Sequence, residues 1–399
     1  MEDLCVCACG DYDILPLPDG GTRITSYHGA GGSIVIPQAL DGRAVREIGE
    51  GAFADCKSLR AVSLPEGVAV IGVNAFRGCA SLTATTLPDG LAAIEDCAFM
   101  DCAALTSLTL PEGLTRIGFS AFAFCHSLSA VTLPASLACI ENNAFTGCKS
   151  LRHATLRNSL ASLRRNPFSG CDSLTAFSVP SGHPTLAERD GLLYGRENAV
   201  LLAYPGGRTE ADLRVPAGTT AIGSGAFSEN RALVSVSLPG SVTVIGESAF
   251  SLCPSLESVT AAAGLRVIEQ NAFQSCRTLR AVSLPETLES IGDSAFGWCG
   301  ALESIDLPEG LSAIGAQAFM LCGALVSVKL PSTLSSIGNG AFGMCLTLGS
   351  LALPEGLSAI GAQAFAGCPA LTLTVCHDTP AEQYARENGI PFVYAASNR

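Results

Sequence analysis

Apolar residues recur along this chain with one long period. Phenylalanine stands at Phe53, Phe76, Phe99, Phe122, Phe145 and Phe168, then at Phe227, Phe250, Phe273, Phe296, Phe319, Phe342 and Phe365, 23 residues apart within each run. Aligned on it, the unit reads L-x-x-V-x-L-P-x-x-L-x-x-I-G-x-x-A-F-x-x-C, as in Leu279, Val282, Leu284, Pro285, Leu288, Ile291, Gly292, Ala295, Phe296 and Cys299. The alternation in Leu-x-x-Val-x-Leu predicts a short strand that its proline ends. Leu-x-x-Ile-Gly then returns the chain, and Ala-Phe-x-x-Cys suits one helical turn with Phe and Cys inward. A single unit cannot bury these residues, but stacked units can. The pattern therefore predicts a solenoid of thirteen coils in two runs, six and seven, capped at both ends. With strands about 4.8 Å apart, it predicts one curved parallel sheet roughly 60 Å long.

The runs are separated because Phe168 and Phe227 are 59 residues apart. We divide the chain into an N-terminal cap (1–33), a first run (34–179), an insertion (180–216), a second run (217–375) and a C-terminal cap (376–399). Within the insertion, Leu192 to Pro205 reads as a β-hairpin, with Gly195, Arg196, Glu197 and Asn198 between two apolar stretches. A second hairpin is expected over Asp11 to His28, around Asp19, Gly20 and Gly21. Thr379, Pro380 and Glu382 form a helix start that Gly389 ends, followed by a strand over Pro391 to Tyr394.

Eighteen cysteines raise the question of a disulfide framework. Cys56, Cys79, Cys102, Cys125, Cys148, Cys171, Cys253, Cys276, Cys299, Cys322, Cys345 and Cys368 share one slot, three residues after the ladder phenylalanine. Side chains stacked at about 4.8 Å are farther apart than the roughly 3.5–4.5 Å a disulfide prefers between β-carbons. These residues read as buried free thiols acting as small hydrophobes. Asn230 takes the slot in one coil, which packing tolerates and an obligatory bridge would not. Cys5, Cys7 and Cys9 alternate as C-x-C-x-C without the C-x-x-C pairs and fourth ligand of structural zinc, so no metal site is assigned.

The repeat residues resemble the BspA-like leucine-rich-repeat family of bacterial proteins, which carries L-P, I-G and A-F-x-x-C at the same places. Ile36, Pro37, Asp41, Gly42 and Val45 to Gly49 look like the family's entry into its first coil. Asp190 to Tyr194, with Tyr204 and Pro205, look like its usual insertion. The resemblance implies a leucine-rich-repeat horseshoe with a parallel concave β-sheet, and a role in adhesion or protein interaction at the cell surface.

Charge and composition narrow the partners. A net charge of −13, from 36 acidic and 23 basic residues, disfavours nucleic acid and anionic membrane surfaces. No stretch reaches the eighteen or so apolar residues of a membrane span. Met1 is followed by Glu2 and Asp3 instead of a basic segment and an apolar core. As written, the chain is expected in the cytoplasm, or else its export signal lies outside it. The partner expected is a protein, or a glycan on the sheet face.

That face is bland. In twelve coils its 24 outward positions hold fifteen Ser or Thr and six Ala, broken only by His153, Asp306 and Lys329. Trp, Tyr and Arg, which anchor most interfaces, are absent from it. A sharper candidate is the slot before the cysteine, where Phe124, Leu252, Trp298, Leu321 and Met344 stand and other coils mostly have Gly, Asp, Glu or Ser. Trp298, Leu321 and Met344 lie in consecutive coils and should form an apolar stripe. In the insertion, Tyr194, Tyr204, His183 and Asp190 are further candidates. The five histidines are scattered, and His153 on the sheet face has no paired carboxylate or oxyanion loop with it, so no catalytic residue and no cofactor is assigned. The reading is a non-enzymatic interaction or adhesion module, with a structural spacer or a glycan-binding sheet as alternatives.

Overall fold

The computed structural model describes residues 7–157, 163, 165–197 and 199–396, and the chain divides into two compact units, 1–197 with 203–208 and 198–202 with 209–399. Each is a parallel β-solenoid whose coils contribute to three hydrogen-bonded walls.

The first wall is built on the isoleucine of Ile-Gly. In the first unit, Arg43–Ile48, Val70–Ile71, Ala93–Ile94, Arg116–Ile117 and Cys139–Ile140 pair in parallel and in register. In the second, pairing runs from Val200 and Leu201 through Ala221–Ile222 and on, coil by coil, to Ala359–Ile360. Sequence reading gave this segment only a return of the chain. It forms the continuous ladder because a β-branched residue repeats there in register.

The second wall holds the Leu-x-x-Val-x-Leu strands, and here the expectation of one long sheet fails. The row is broken into Gly32–Val35 to Ala84–Thr86, Ala130–Thr132 to Ala176–Ser178, Asp212–Arg214 to Ala281–Ser283, Ser304–Asp306 with Ser327–Lys329, and a last group from Ser350–Ala352. Where coils pair, the leucine N–H after the strand donates to the next coil, as Leu64 to Thr86, Leu133 to Thr155 and Leu307 to Lys329 at 3.0–3.1 Å. At three of the breaks Leu87, Leu284 and Leu330 are half-buried, whereas Leu64, Leu133 and Leu307 at closed joints are buried; Leu110, beside a further break, is buried as well. At the Leu87 joint the inward position of the strand holds Thr85 in place of valine, with its hydroxyl buried and unpartnered, whereas the residues at the Leu284 and Leu330 joints do not explain why they open.

The third wall carries Ala-Phe-x-x-Cys, and it is not helical. Left-handed residues bracket every ladder phenylalanine but Phe168, as Asn74 and Gly78 do with φ 55° and 71°, and Ser294 and Trp298 with 52° and 66°. A left-handed residue interrupts the helical path, so the segment becomes linked tight turns. Its free N–H groups point along the stack: those of Asn74, Phe76 and Gly78 donate to Asp96, Ala98 and Met100 of the next coil at 2.7–2.9 Å. Backbone groups inside the solenoid thus find partners without a helix.

Inside, the phenylalanines stack face to face. Centroids are 4.9–5.5 Å apart from Phe53 to Phe168 and 4.7–5.6 Å apart from Phe227 to Phe365. The cysteine thiols do more than fill space. Phe53 O accepts the N–H of Cys56 at 3.2 Å and the thiol of Cys79, one coil on, at 3.1 Å. Cys102, Cys125, Cys148, Cys171, Cys276, Cys299, Cys322 and Cys345 repeat that thiol bond. The sixteen cysteines from Cys9 to Cys376 are free. Burial pushes the Cys79, Cys148 and Cys322 thiols up to about 12, and Cys102, Cys125, Cys253 and Cys299 upward as well.

Tyrosines stand at the stack ends. Tyr27, in the antiparallel pair Tyr12–Pro16 and Thr22–Tyr27, stacks on Phe53 at 4.9 Å. Tyr384, on the helix Pro380–Glu387, meets Phe365 edge-on at 6.0 Å. Thr379 caps that helix by accepting the Glu382 N–H, and Gly389 is left-handed at its end. Arg386 and the Tyr394 hydroxyl hold the Glu382 carboxyl down to about 2. In the insertion, an antiparallel hairpin joins Leu186–Arg189 to Leu192–Gly195 and turns on Asp190 and Gly191 at φ 52° and 78°. Sequence reading did not draw this pair; Asn198, part of the turn it did draw, lies outside the described residues.

Two outcomes follow. Phe296→Ala removes a ring packed on both faces, and should lower unfolding free energy by about 3–5 kcal/mol in urea titrations. The raised thiols mean that, above about pH 8.5, the folded chain keeps protons the unfolded chain has lost. Stability should be full below that pH and fall as pH rises towards 12, by about 1.4 kcal/mol per pH unit for each such thiol. Urea midpoints at pH 7.5 and 9.5 should differ steeply, and less steeply once Cys79, Cys148 and Cys322 are replaced by alanine.

Candidate interaction surface

The slot before the cysteine lies at the outer edge of the third wall, where the chain leaves the phenylalanine turn in the left-handed region. Phe124, Leu252, Trp298, Leu321 and Met344 have φ of 61°, 59°, 66°, 62° and 60°. This backbone suits glycine or asparagine and costs a bulky residue about 1–2 kcal/mol. The same side chains are among the more exposed large apolar groups: Leu252 is 52% exposed, Trp298 47%, Met344 43% and Phe124 37%, while Leu321 is half-buried. Each coil here thus combines an unfavourable backbone with an unfavourable surface. Trp298, Leu321 and Met344 follow one another in the second unit; their backbones are linked through Trp298 N to Met320 O, Leu321 N to Gly343 O and Met344 N to Ala366 O.

Two of these side chains, those of Met344 and Phe124, lean onto the following coil. A β-carbon on Gly367 would stand 2.3 Å from the Met344 sulfur, and one on Gly147 would stand 2.6 Å from the Phe124 ring. Both glycines also have φ of 71°. These two glycines leave room for the large side chain one coil before, although Trp298 is followed by Leu321 and Leu321 by Met344 in the same slot.

The insertion candidates divide. His183, Tyr194 and Tyr204 are buried, so their side chains belong to the core and do not form the contact surface expected of them. His183 Nε2 bonds the Arg157 carbonyl at 2.9 Å and Nδ1 accepts the Leu186 and Thr185 N–H groups at 3.0 and 3.2 Å. That geometry fixes a neutral ring, and burial lowers its pKa. Arg189 lies over Tyr194 at 5.1 Å and Arg208 over Tyr204 at 5.6 Å. Tyr204 follows Ala203 and stands 23 residues before Phe227, which is the Ala-Phe position of the repeat. That spacing was the missed signal for its burial. Asp190 is exposed at the hairpin turn, and its carbonyl accepts from Arg208 Nη1 at 2.6 Å.

Asn230 shows what the cysteine slot tolerates. Its amide oxygen accepts the Ala232 and Leu233 N–H groups at 3.0 Å each, while its buried amide nitrogen finds no acceptor, so the donor bond of the thiols is missing in this coil. Cys7–Cys9 forms a strand paired with Tyr12–Pro16, and Cys5 lies outside the described residues. Among the described residues, no group of three His, Cys, Asp or Glu is placed to hold a metal ion, and no helix is long and apolar enough to cross a membrane.

Known structures share this architecture. A leucine-rich cell surface protein from Faecalibacterium prausnitzii A2-165 is 28% identical with a TM-score of 0.60, covering 90% of this chain and 94% of its own. A leucine-rich repeat protein from Eubacterium ventriosum aligns with a TM-score of 0.71 at 20% identity over 90% and 93% of the two chains. The pneumococcal vaccine antigen PcpA aligns with a TM-score of 0.63 at 20% identity over 99% and 100%. A search of curated protein sequences finds no match. Leucine-rich-repeat scaffolds of this kind are typical of protein-interaction and surface proteins and are generally non-catalytic. The model of the BspA type leucine rich repeat region matches residues 33–123, 210–322 and 266–380, so the chain belongs to the BspA-type leucine-rich-repeat family.

Proposed function

We propose that the chain is a non-enzymatic protein-binding module, acting in adhesion at a cell surface, and that its partner docks on the stripe of Trp298, Leu321 and Met344. One observation carries this reading: three consecutive coils hold bulky apolar side chains, Trp298 and Met344 well exposed, on left-handed backbone. Other coils place Asp55, Asp101, Glu229 and Ser275 in that slot at similar φ, so the fold does not need an apolar residue there. Local strain combined with exposed apolar surface is favoured only if the side chains are used. Tryptophan and methionine are also enriched among interface anchors. The similarity to a leucine-rich cell surface protein supports the surface location.

The test separates use from stability. Replacing Trp298, Leu321 and Met344 together by glycine relaxes three left-handed residues while removing the apolar surface. Thermal unfolding should stay within about 1 kcal/mol of wild type, or rise, because relieved backbone strain offsets lost contacts. A photo-crosslinking residue at position 344 should capture the same partner that binds the wild-type chain, and the triple variant should bind it at least tenfold more weakly. Full partner binding by a folded triple variant would refute the assignment.

A further inference from the structure

The stripe is periodic along the stack, and its period selects what can lie on it. Trp298, Leu321 and Met344 each stand two residues after a ladder phenylalanine, and those rings advance 5.3, 5.2 and 5.6 Å per coil from Phe296 to Phe365. The slot backbones keep the same step, because each donates its N–H to the following coil at 2.7–2.8 Å. One apolar group therefore stands on each coil of the row. Two neighbours add to it: Leu346, two residues after Met344, is 52% exposed, and Val326, five after Leu321, is 57% exposed. The turns that carry the row, 296–300, 319–323 and 342–346, contain no charged residue.

Regular peptide forms meet such a row differently. An α-helix lying along the stack brings one face round with each turn, about 5.4 Å, so anchors at i, i+4 and i+7 meet successive coils in step. A strand along the same line repeats a face every two residues, about 6.6–6.8 Å, and is well out of step by the third coil. An extended segment running across the coils would meet the row only once. Five partly exposed side chains offer a patch on the order of a few hundred Å2. Two globular surfaces in a standard interface each bury roughly 800 Å2, so the row alone would not hold a second copy of this chain. A single helix needs only the face its spaced anchors supply. Charge sets the rest of that helix. The chain carries a net charge of −13, and residues 281–376 hold seven carboxylates against one ammonium, Lys329. Arg277 and Arg280 lie one coil before Trp298, where Glu303 holds Arg280 at 3.5 Å. A cationic polar face complements this field, and an acidic one is repelled by it.

We infer that the row of Trp298, Leu321 and Met344 receives an amphipathic α-helix of the protein partner, lying along the stack with one apolar anchor per coil and a cationic polar face. The inference rests on the protein-binding reading above and names the element by which that partner makes contact.

Trp298 is the only tryptophan, so its fluorescence reads this row in the intact chain. The probe is a tryptophan-free peptide of about 18 residues, long enough to hold a helix, with leucine at i, i+4, i+7 and i+11 among lysine, glutamine and alanine. It should shift the Trp298 emission to the blue and saturate in the micromolar range. A peptide of the same composition with leucine at alternate positions, and a helical one with glutamate for lysine, should each bind at least tenfold more weakly. Leu321→Gly combined with Met344→Gly should weaken the helical probe at least tenfold while thermal unfolding stays close to wild type. Photo-reactive leucine placed at i and at i+7 should label two different coils, that of Trp298 and that of Met344. No saturable shift with the helical probe, equal binding of the alternating or acidic peptide, full binding by the folded double variant, or labelling of one coil from both positions would overturn the helix. Should the double variant not fold, the peptide comparison and the labelling decide the matter on the wild-type chain. The stripe itself stands or falls on partner binding by the triple glycine variant, so the two failures are read separately.

Discussion

Everything in this protein depends on coil-to-coil registry. One carbonyl shows it: the oxygen of Phe53 accepts the N–H of Cys56 in its own turn and the thiol of Cys79 in the next coil. The two donors are three and 26 residues away, and the difference is the 23-residue period. If the period changed, the ring stack, the thiol bonds and the isoleucine ladder would lose register together. A coil has no core of its own, so stability is a sum over neighbouring interfaces. This explains why the period holds through each run while outward residues vary.

The same registry creates the positions where variation has consequences. The turn on the third wall needs a left-handed residue before each cysteine, and the fold is indifferent to which side chain sits there. Aspartate, glutamate, serine, phenylalanine, leucine, tryptophan and methionine all occupy it. A scaffold that fixes the backbone and frees the side chain can place apolar groups at intervals of roughly one coil. At Met344 the side chain occupies the space that a β-carbon on Gly367 would need.

Much of this was legible in the residues, for identifiable reasons. The ladder phenylalanines, the free thiols and the helix started by Thr379 and Pro380 follow from periodicity and capping chemistry, which act locally or repeat without change. Three features were not. The Ile-Gly segment builds the continuous ladder, although two residues per coil are too few to show the alternation of a strand. The breaks at Leu284 and Leu330 occur where the repeat is intact, so they arise from how coils sit on one another, whereas beside Leu87 the inward valine is replaced by Thr85. The burial of His183 and Tyr194 reflects packing of the insertion, whereas Tyr204 could have been placed by its 23-residue distance from Phe227. For the slot residues, sequence contrast is enough to single out the stripe, but the left-handed backbone that makes it costly is set by the tight turns of the folded coil, which no single residue type marks.

The central claim is that registry, and not the amount of chain, sets stability. It is tested by two deletions in the second run, one of a whole coil (residues 302–324) and one of about half a coil (302–313). Thermal unfolding followed by circular dichroism should show a cooperative transition close to wild type for the larger deletion, which joins Ala301 to Leu325 and keeps every ladder in step. The smaller deletion should lose the cooperative transition of that region. A half-coil deletion that unfolds as cooperatively and at as high a temperature as the whole-coil deletion would contradict the account.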